Sequence, residues 1–354
     1  MALPAVLSYA AGSAAKVKRM PPKDNRIDAR DWSLLAVLSI LWGGSFFFNG
    51  AALRELPPLT LVFLRVALGA ALLLPLLRMQ GIGFPKSWAG WTPFVAIGLL
   101  NNVIPFSLIV IGQTFIPSGL ASILNATTPM FTVVVMIAAG ESALQMRRLA
   151  GVVLGLAGVI LLRGWGFEAR PGQGLGILLC LGGALSYGFA ALAARRLLKD
   201  SPPLGTATFQ LIASTVMMAI IAGAVEQPWR LAMPSVTTWL AVLGLAGLST
   251  ALAYIVFFQI VRRSGASNVM LVALLIPVTA ILLGWLVLGE PISRREIAGA
   301  IVIGSALLVI DGRAQPAIAG CLSLLRLGPS APCRRRHRRR AHTSSPHENR
   351  TGAS

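Results

Sequence analysis

The chain has 354 residues, 55% of them hydrophobic and only 12% charged, where soluble globular domains carry about a quarter charged residues. That composition cannot cover a surface facing water, so the chain must lie in lipid. A formal net charge of +19 would suggest nucleic acid in a soluble protein, but here the basic residues mark loops, and no nucleic-acid partner is expected.

Residues 1–31 read as a cytoplasmic N-terminal arm. Met1 to Ala15 lacks the basic leading region of a signal peptide, and Lys16, Lys18, Arg19, Lys23, Arg26 and Arg30 follow it instead. Ten apolar segments come next, at 32–52, 59–78, 91–111, 117–138, 148–163, 173–193, 204–224, 236–259, 266–289 and 297–311. Each is near the roughly 20 residues a helix needs to cross ~30 Å of hydrocarbon.

The first span carries Trp42 and Asn49, and the second carries Arg65. An ionised side chain in lipid is costly and by default marks a functional site. Either Arg65 faces a cavity, which would then prefer a carboxylate or other anion, or it snorkels to the interface, which a depth of about 9 Å at ~1.5 Å per residue permits. In the third span, Asn101 and Asn102 are candidates for substrate hydrogen bonds or for polar contact between helices. The fourth holds Asn125, Thr128 and Pro129. Pro129 removes a backbone donor and pushes away the carbonyl of Asn125, which in a membrane must be satisfied by protein or by a wet cavity.

Glu141 ends the fourth span and is followed by Arg147-Arg148. It reads as interfacial charge or as a gate whose ion pairs form and break as access alternates. Gly151 and Gly155 make a small-residue packing motif in the fifth span, suited to contact within the monomer, with a homodimer left open. Tyr187 lies in the sixth. Ser249, Thr250 and Tyr254 lie in the eighth, and Asn268 and Pro277 in the ninth. Glu290, followed by Arg294-Arg295, ends the ninth span as Glu141 ends the fourth. Residues 313–354 form a basic tail, Arg334 to Arg340 with one histidine at its centre, expected to be disordered and attracted to anionic lipid.

The chain also repeats itself. Gly98-Leu99, Gln113 and Ser118-Gly119 recur as Gly244-Leu245, Gln259 and Ser264-Gly265, each displaced by 146 residues. Pro129, Gly140-Glu141 and Gly151…Gly164 recur as Pro277, Gly289-Glu290 and Gly299…Gly312 at offsets of 148, 149 and 148. Such an ordered series points to two copies of one unit, residues 32–164 and 165–312. Most loop cations (Arg78, Lys86, Arg147, Arg148, Arg195, Arg196, Lys199, Arg262, Arg263) fall on the side of the N-terminal arm, and fewer (Arg54, Arg163, Arg170, Arg230, Arg294, Arg295) on the other. The positive-inside rule then places both termini in the cytoplasm. With five spans per copy, an odd number, the second copy sits upside down relative to the first, as in secondary transporters.

All twelve acidic residues lie outside the span centres and all three histidines lie in the tail. A membrane hydrolase or metalloenzyme would need such groups at depth, so no catalytic residue, metal or cofactor is expected. The matched prolines at mid-depth are the best pointers to a binding site. Asn101 and Asn102 correspond to Gly247 and Leu248, so a shared folding requirement does not explain them.

Leu41-Trp42-Gly43-Gly44, Arg65 in the second span, and the doubled Ser-Gly, mid-span Pro and Gly-Glu resemble the EamA-type members of the drug/metabolite transporter superfamily over residues 32–312. The resemblance implies an all-α integral membrane protein of ten transmembrane helices in two inverted five-helix repeats, with a central cavity and alternating access. The cavity is expected between the third, fourth, eighth and ninth helices, with the first, second and sixth contributing. The partners expected are the lipid bilayer, a small-molecule substrate such as an amino acid or related metabolite, exported from the cell, and a coupling proton. An uncoupled facilitator or exchanger, or an importer, is the alternative within transport. An enzyme or assembly factor acting on lipid-linked substrates is the alternative outside it.

Overall fold

The computed structural model describes residues 28–143, 145–163, 171–199, 201–264 and 272–311. Residues 1–27 of the N-terminal arm, the basic tail and Asn268 lie outside the described residues, and Ala29–Asp31, expected in the arm, begin α1. Within them the chain is helical: α1 (Ala29–Ala52), α2 (Pro58–Met79), α3 (Trp88–Gly112), α4 (Ser118–Ala138), α5 (Met146–Arg163), α6 (Gln173–Leu197), α7 (Pro203–Val225), α8 (Val236–Arg263), α9 (Val272–Leu288) and α10 (Arg294–Asp311).

Local chemistry sets the helix ends. The Asp28, Ser87 and Ser235 side chains accept hydrogen bonds from the backbones of Asp31, Gly90 and Thr238, filling donors that a helix start leaves open. Helices α2 and α7 begin on a proline, where the missing N–H has no intrahelical partner to lose. Helices α4 and α9 both stop at a left-handed glycine, Gly140 at φ 71° and Gly289 at φ 70°. The recurring Gly-Glu pair is therefore the same turn used twice, and it requires the residue that tolerates positive φ.

Seven helices, α1 to α4 and α6 to α8, are long and apolar enough to cross a membrane. Helix α9 is shorter in the described residues, and α5 and α10 are 18 residues each with charged ends. The three weaker spans are thus α5, α9 and α10. Outward residues such as Ile40, Leu178, Ile220, Leu240 and Ile301 are exposed and apolar, which water would oppose and lipid would not. The protein is a multi-pass membrane protein.

The helices pair in a pattern that exchange of the two copies preserves. Helix α2 packs on α7 and α5 on α10; α1 packs on α9 and α4 on α6; α1 packs on α8 and α6 on α3. Replacing each of α1 to α5 by its counterpart among α6 to α10 turns every pair into itself or into another of these pairs. Close approach is possible where glycine faces a neighbour. A Cβ at Gly43 would stand 2.6 Å from Thr279 Cβ and 2.9 Å from Ile276 O, so α1 crosses α9 with backbone nearly touching.

Two apolar cores result. One joins α1, α4, α6, α8 and α9 through Leu38, Leu120, Ile123, Cys180, Ala253 and Ile276. The other joins α2, α3, α7 and α8 through Val66, Leu73, Phe106, Leu211 and Leu245. Tyr187 packs against both.

Candidate functional site

Where the two cores meet, the regular helix gives way. Helix α3 widens into a π-helical turn at Leu99–Val103, and α8 does so at Gly244–Leu252, matching positions of the two copies. Such turns displace the backbone ladder and are frequent at functional sites. Here nearby carbonyls receive hydroxyls instead: Ser214 donates to Gly98 O at 3.1 Å, Ser186 to Leu100 O at 2.7 Å and Thr250 to Leu245 O at 2.9 Å.

Polar side chains gather around these turns. Asn101 Nδ2 donates to Gln210 Oε1 and to the Tyr254 hydroxyl, both at 3.2 Å. The Tyr254 hydroxyl donates onward to Asn102 Oδ1 at 3.2 Å, and Asn102 Nδ2 donates to Ser214 Oγ at 3.0 Å. This ring ties α3, α7 and α8 together. Asn102 is 0% exposed and its contacts here are to protein alone, whereas Asn101 is only partly buried.

Arg65 lies beside this ring. It is 7% exposed, its Nε donates to Thr250 Oγ1 at 3.1 Å, and its guanidinium carbon stands 3.7 Å from the centroid of the Phe106 ring. The side chain is thus turned into the protein and does not snorkel to the interface. A cation over an aromatic face gains electrostatic attraction, and the Thr250 proton, committed to Leu245 O, leaves that hydroxyl an acceptor. Tyr187 and Tyr254 both lie within electrostatic reach of Arg65.

The other anticipated residues lie elsewhere in the helix set. Trp42 on α1 packs its ring 5.6 Å from that of Phe257. Pro129 starts the second half of α4 after a break at Ala126–Thr127. The Asn125 carbonyl receives the Thr128 hydroxyl at 2.7 Å, so the chain itself satisfies the group that Pro129 frees. Asn125 Oδ1 is buried without a partner. Pro277 is buried inside α9. None of Trp42, Asn125, Thr128, Pro129 and Pro277 is hydrogen-bonded to the Arg65 group among the described residues.

Glu141 and Glu290 sit at opposite ends of the antiparallel helices and differ in chemistry. Glu141 pairs with Arg195 at 3.4 Å and Arg196 at 2.9 Å, both on α6, and not with Arg147-Arg148. The hydrogen bond from Arg196 and the nearby cations hold its carboxyl below the usual range. Glu290 instead accepts the Ser118 backbone N–H at the start of α4. On the same end Glu226 accepts from the Leu59 and Thr60 backbones at 2.9 and 2.6 Å, and Glu55 from Ser235 N at 2.7 Å. Each of these contacts joins one copy to the other.

Sequence reading missed Gln210, Ser214 and Phe106. Gln210 and Ser214 had a signal, two polar residues one turn apart and so on one face of α7. Phe106 had none, because phenylalanine is ordinary in any span.

Comparison with known proteins agrees with this architecture. The profile of the EamA-like transporter family matches residues 31–164 and 174–311. The "uncharacterized inner membrane transporter YedA" of Escherichia coli (strain K12) is 28% identical over 296 residues, 80% of this chain and 93% of its own length. The "uncharacterized transporter YvbV" of Bacillus subtilis (strain 168) is 26% identical, over 82% of this chain and 94% of its own. A "probable amino-acid metabolite efflux pump" of Salmonella typhimurium is 25% identical, over 79% and 94%. A solved crystal structure superposes with a TM-score of 0.58 at 21% identity, covering 80% of this chain and 98% of that one, which is a likeness of fold.

Proposed function

The chain belongs to the EamA-like transporter family, and on that premise we propose that it is a secondary transporter that exports a small metabolite, an amino acid or related compound, by alternating access. The observation that carries this reading is the convergence of the two matched π-helical turns on Arg65, Asn101, Thr250 and Tyr254. Polar groups gathered at a break in matching helices of two copies are what a mid-membrane binding site needs. Its relatives are named transporters, and the chain is accordingly a transporter and not an enzyme.

In this reading residues 32–164 and 165–312 are two inverted copies of five membrane-crossing helices each. Helices α5, α9 and α10 complete the ten, and both termini are cytoplasmic, flanked by the arm 1–31 and the tail 313–354. The exchange-preserving helix pairs support it. Alternating access is rocking of one copy against the other, and the contacts that join the copies at each end, at Glu290 and at Glu141, are its gates. The outer end is held by carboxylates on backbone amides and the inner end by arginine–carboxylate pairs, so the two gates respond differently to pH and salt.

The test is an untargeted comparison of metabolites in cells and medium, with the wild-type protein, without it, and with Asn101→Ala combined with Pro129→Ala at matched membrane levels. A compound that accumulates outside only with the wild type supports export. The opposite movement makes the protein an importer, and no difference among the strains sinks the transport reading.

A further inference from the structure

Among the described residues one cation, Arg65, is buried deep among the helices, and no carboxylate pairs with it. The described carboxylates serve helix ends. Asp28 and Asp31 face Arg263, Glu141 faces Arg195 and Arg196, and Glu55, Glu226, Glu290 and Glu296 accept from backbone amides at Ser235, Leu59 and Thr60, Ser118, and Ser293. Arg65 is ionised at any pH a cell meets. A buried charge without a counter-charge is costly.

The way Arg65 is held shows which of its donors remain. Nε is committed to Thr250, and one face of the guanidinium is committed to Phe106. Nη1 and Nη2 reach no acceptor among the described residues, and neither is among the sealed, unpartnered atoms, which are Asn49 Oδ1, Asn125 Oδ1 and Ser249 Oγ. Both donors are therefore left for an acceptor that the described residues do not supply. Two parallel N–H groups on one edge of a guanidinium match the two oxygens of a carboxylate. A lysine would offer a point charge without that match.

We infer that the transported molecule is a small carboxylate and that Arg65 recognises its charge, an inference that rests on the transporter reading above. Thr250 is a positioning residue: its hydroxyl, fixed as an acceptor by Leu245 O, turns the free edge of Arg65 toward the bound anion. The carboxylate supplies the counter-charge that the described residues do not, so the site is electrically complete only when loaded. Analogues of the same size without a carboxylate lack that gain and leave Arg65 unpaired, which is how one buried charge selects a substrate class.

The experiment compares metabolites inside and outside cells that carry the wild-type full chain, no protein, Arg65→Gln or Arg65→Lys, at matched membrane levels. The probe is the cell's own pool of metabolites with and without an ionised carboxylate. The expected result is that every compound redistributed by the wild type carries an ionised carboxylate. Arg65→Gln should reduce the redistribution about tenfold or more, as loss of a charge-assisted bidentate pair implies, with Arg65→Lys between the two. Methyl esters of those compounds should compete poorly with the free acids in everted vesicles. Redistribution by the wild type of compounds that carry no carboxylate overturns the inference and leaves transport standing, as does undiminished activity of Arg65→Gln. No redistribution by the wild type overturns both. If Arg65→Gln does not reach the membrane, the charge class of the wild-type compounds and the ester competition still decide.

Discussion

The Glu290 carboxylate receives the Ser118 backbone N–H on both of its oxygens, at 3.1 and 3.0 Å. This fastens the turn after α9 to the first residue of α4, in the other copy. Gln113 donates to Ser118 Oγ at 3.2 Å and to Phe46 O at 3.0 Å, and accepts from Asn49 at 2.9 Å, which extends the fastening to α1. A negative charge at a helix N-terminus is stabilised by both the free amides and the helix dipole.

Glu290→Ala should therefore lower the unfolding free energy of the purified protein by roughly 1–2 kcal/mol, the range for loss of a helix cap or a charged hydrogen bond. Glu290→Gln keeps an acceptor and should cost less. Thermal unfolding in detergent measures both, and equal loss in the two variants would show that the charge contributes nothing.

Glu55 and Glu141 make the two ends of the helix set sensitive to acid. Ser235 N–H and hydroxyl lower the Glu55 carboxyl from its ordinary 4.5, and Arg196 lowers that of Glu141. A carboxylate with a depressed folded value stabilises the fold above the ordinary value and loses that contribution as pH falls from 4.5 toward the depressed one. The thermal midpoint should thus fall with acid across that window, and Glu55→Gln and Glu141→Gln should each flatten part of the fall. An unchanged acid limb in both variants would remove these contacts from the account. Added salt should weaken the exposed Glu141 pair more than the Glu55 contact.

Asn101 and Asn102 should separate by function. Asn102 is wholly buried between Ser214 and Tyr254, so Asn102→Ala should destabilise by roughly 0.5–2 kcal/mol, as interhelical polar contacts in membranes do. Asn101→Ala, at a partly buried position, should reduce flux at a smaller cost in stability. Thermal midpoints and metabolite flux on the same preparations check this, and the reverse order would mean that Asn102 is the substrate contact.

Gly43→Ala should force α1 off α9, because the new methyl meets Thr279 Cβ at 2.6 Å and Ile276 O at 2.9 Å. Overpacking of this kind costs about 1–3 kcal/mol. Gly174→Ala on α6 meets nothing within 4 Å and should be neutral or stabilising by up to ~1 kcal/mol through helix propensity. A shared loss in both variants would point to glycine as such rather than to the crossing.

Hydropathy runs placed the helices because a segment in lipid must satisfy its backbone internally and present apolar side chains outward, and both demands are local in sequence. Positive-φ turns were equally legible: Gly-Glu recurs because α4 and α9 end in the same left-handed conformation. Arg65, Asn101, Thr250 and Tyr254 were visible as polar residues in apolar spans. Their company was not. Whether Arg65 turned to the interface or inward depended on Phe106 and Thr250, on two other helices. Likewise Glu141 and Glu290 share one local pattern, a Gly-Glu pair followed by two arginines, which does not distinguish their partners.

Composition, periodic apolar runs and recurring landmarks by themselves determined that this chain spans a membrane many times and is built from two copies, because lipid and chain geometry act on each segment alone. Only the tertiary structure decided that Glu141 meets arginines while Glu290 meets a helix N-terminus, that Thr128 fills the carbonyl Pro129 frees, and that Arg65 has no counter-charge among the described residues. Those outcomes depend on which helices cross and how closely. Close crossing is set by complementary surfaces far apart in sequence, such as Gly43 against Thr279, which no local pattern encodes.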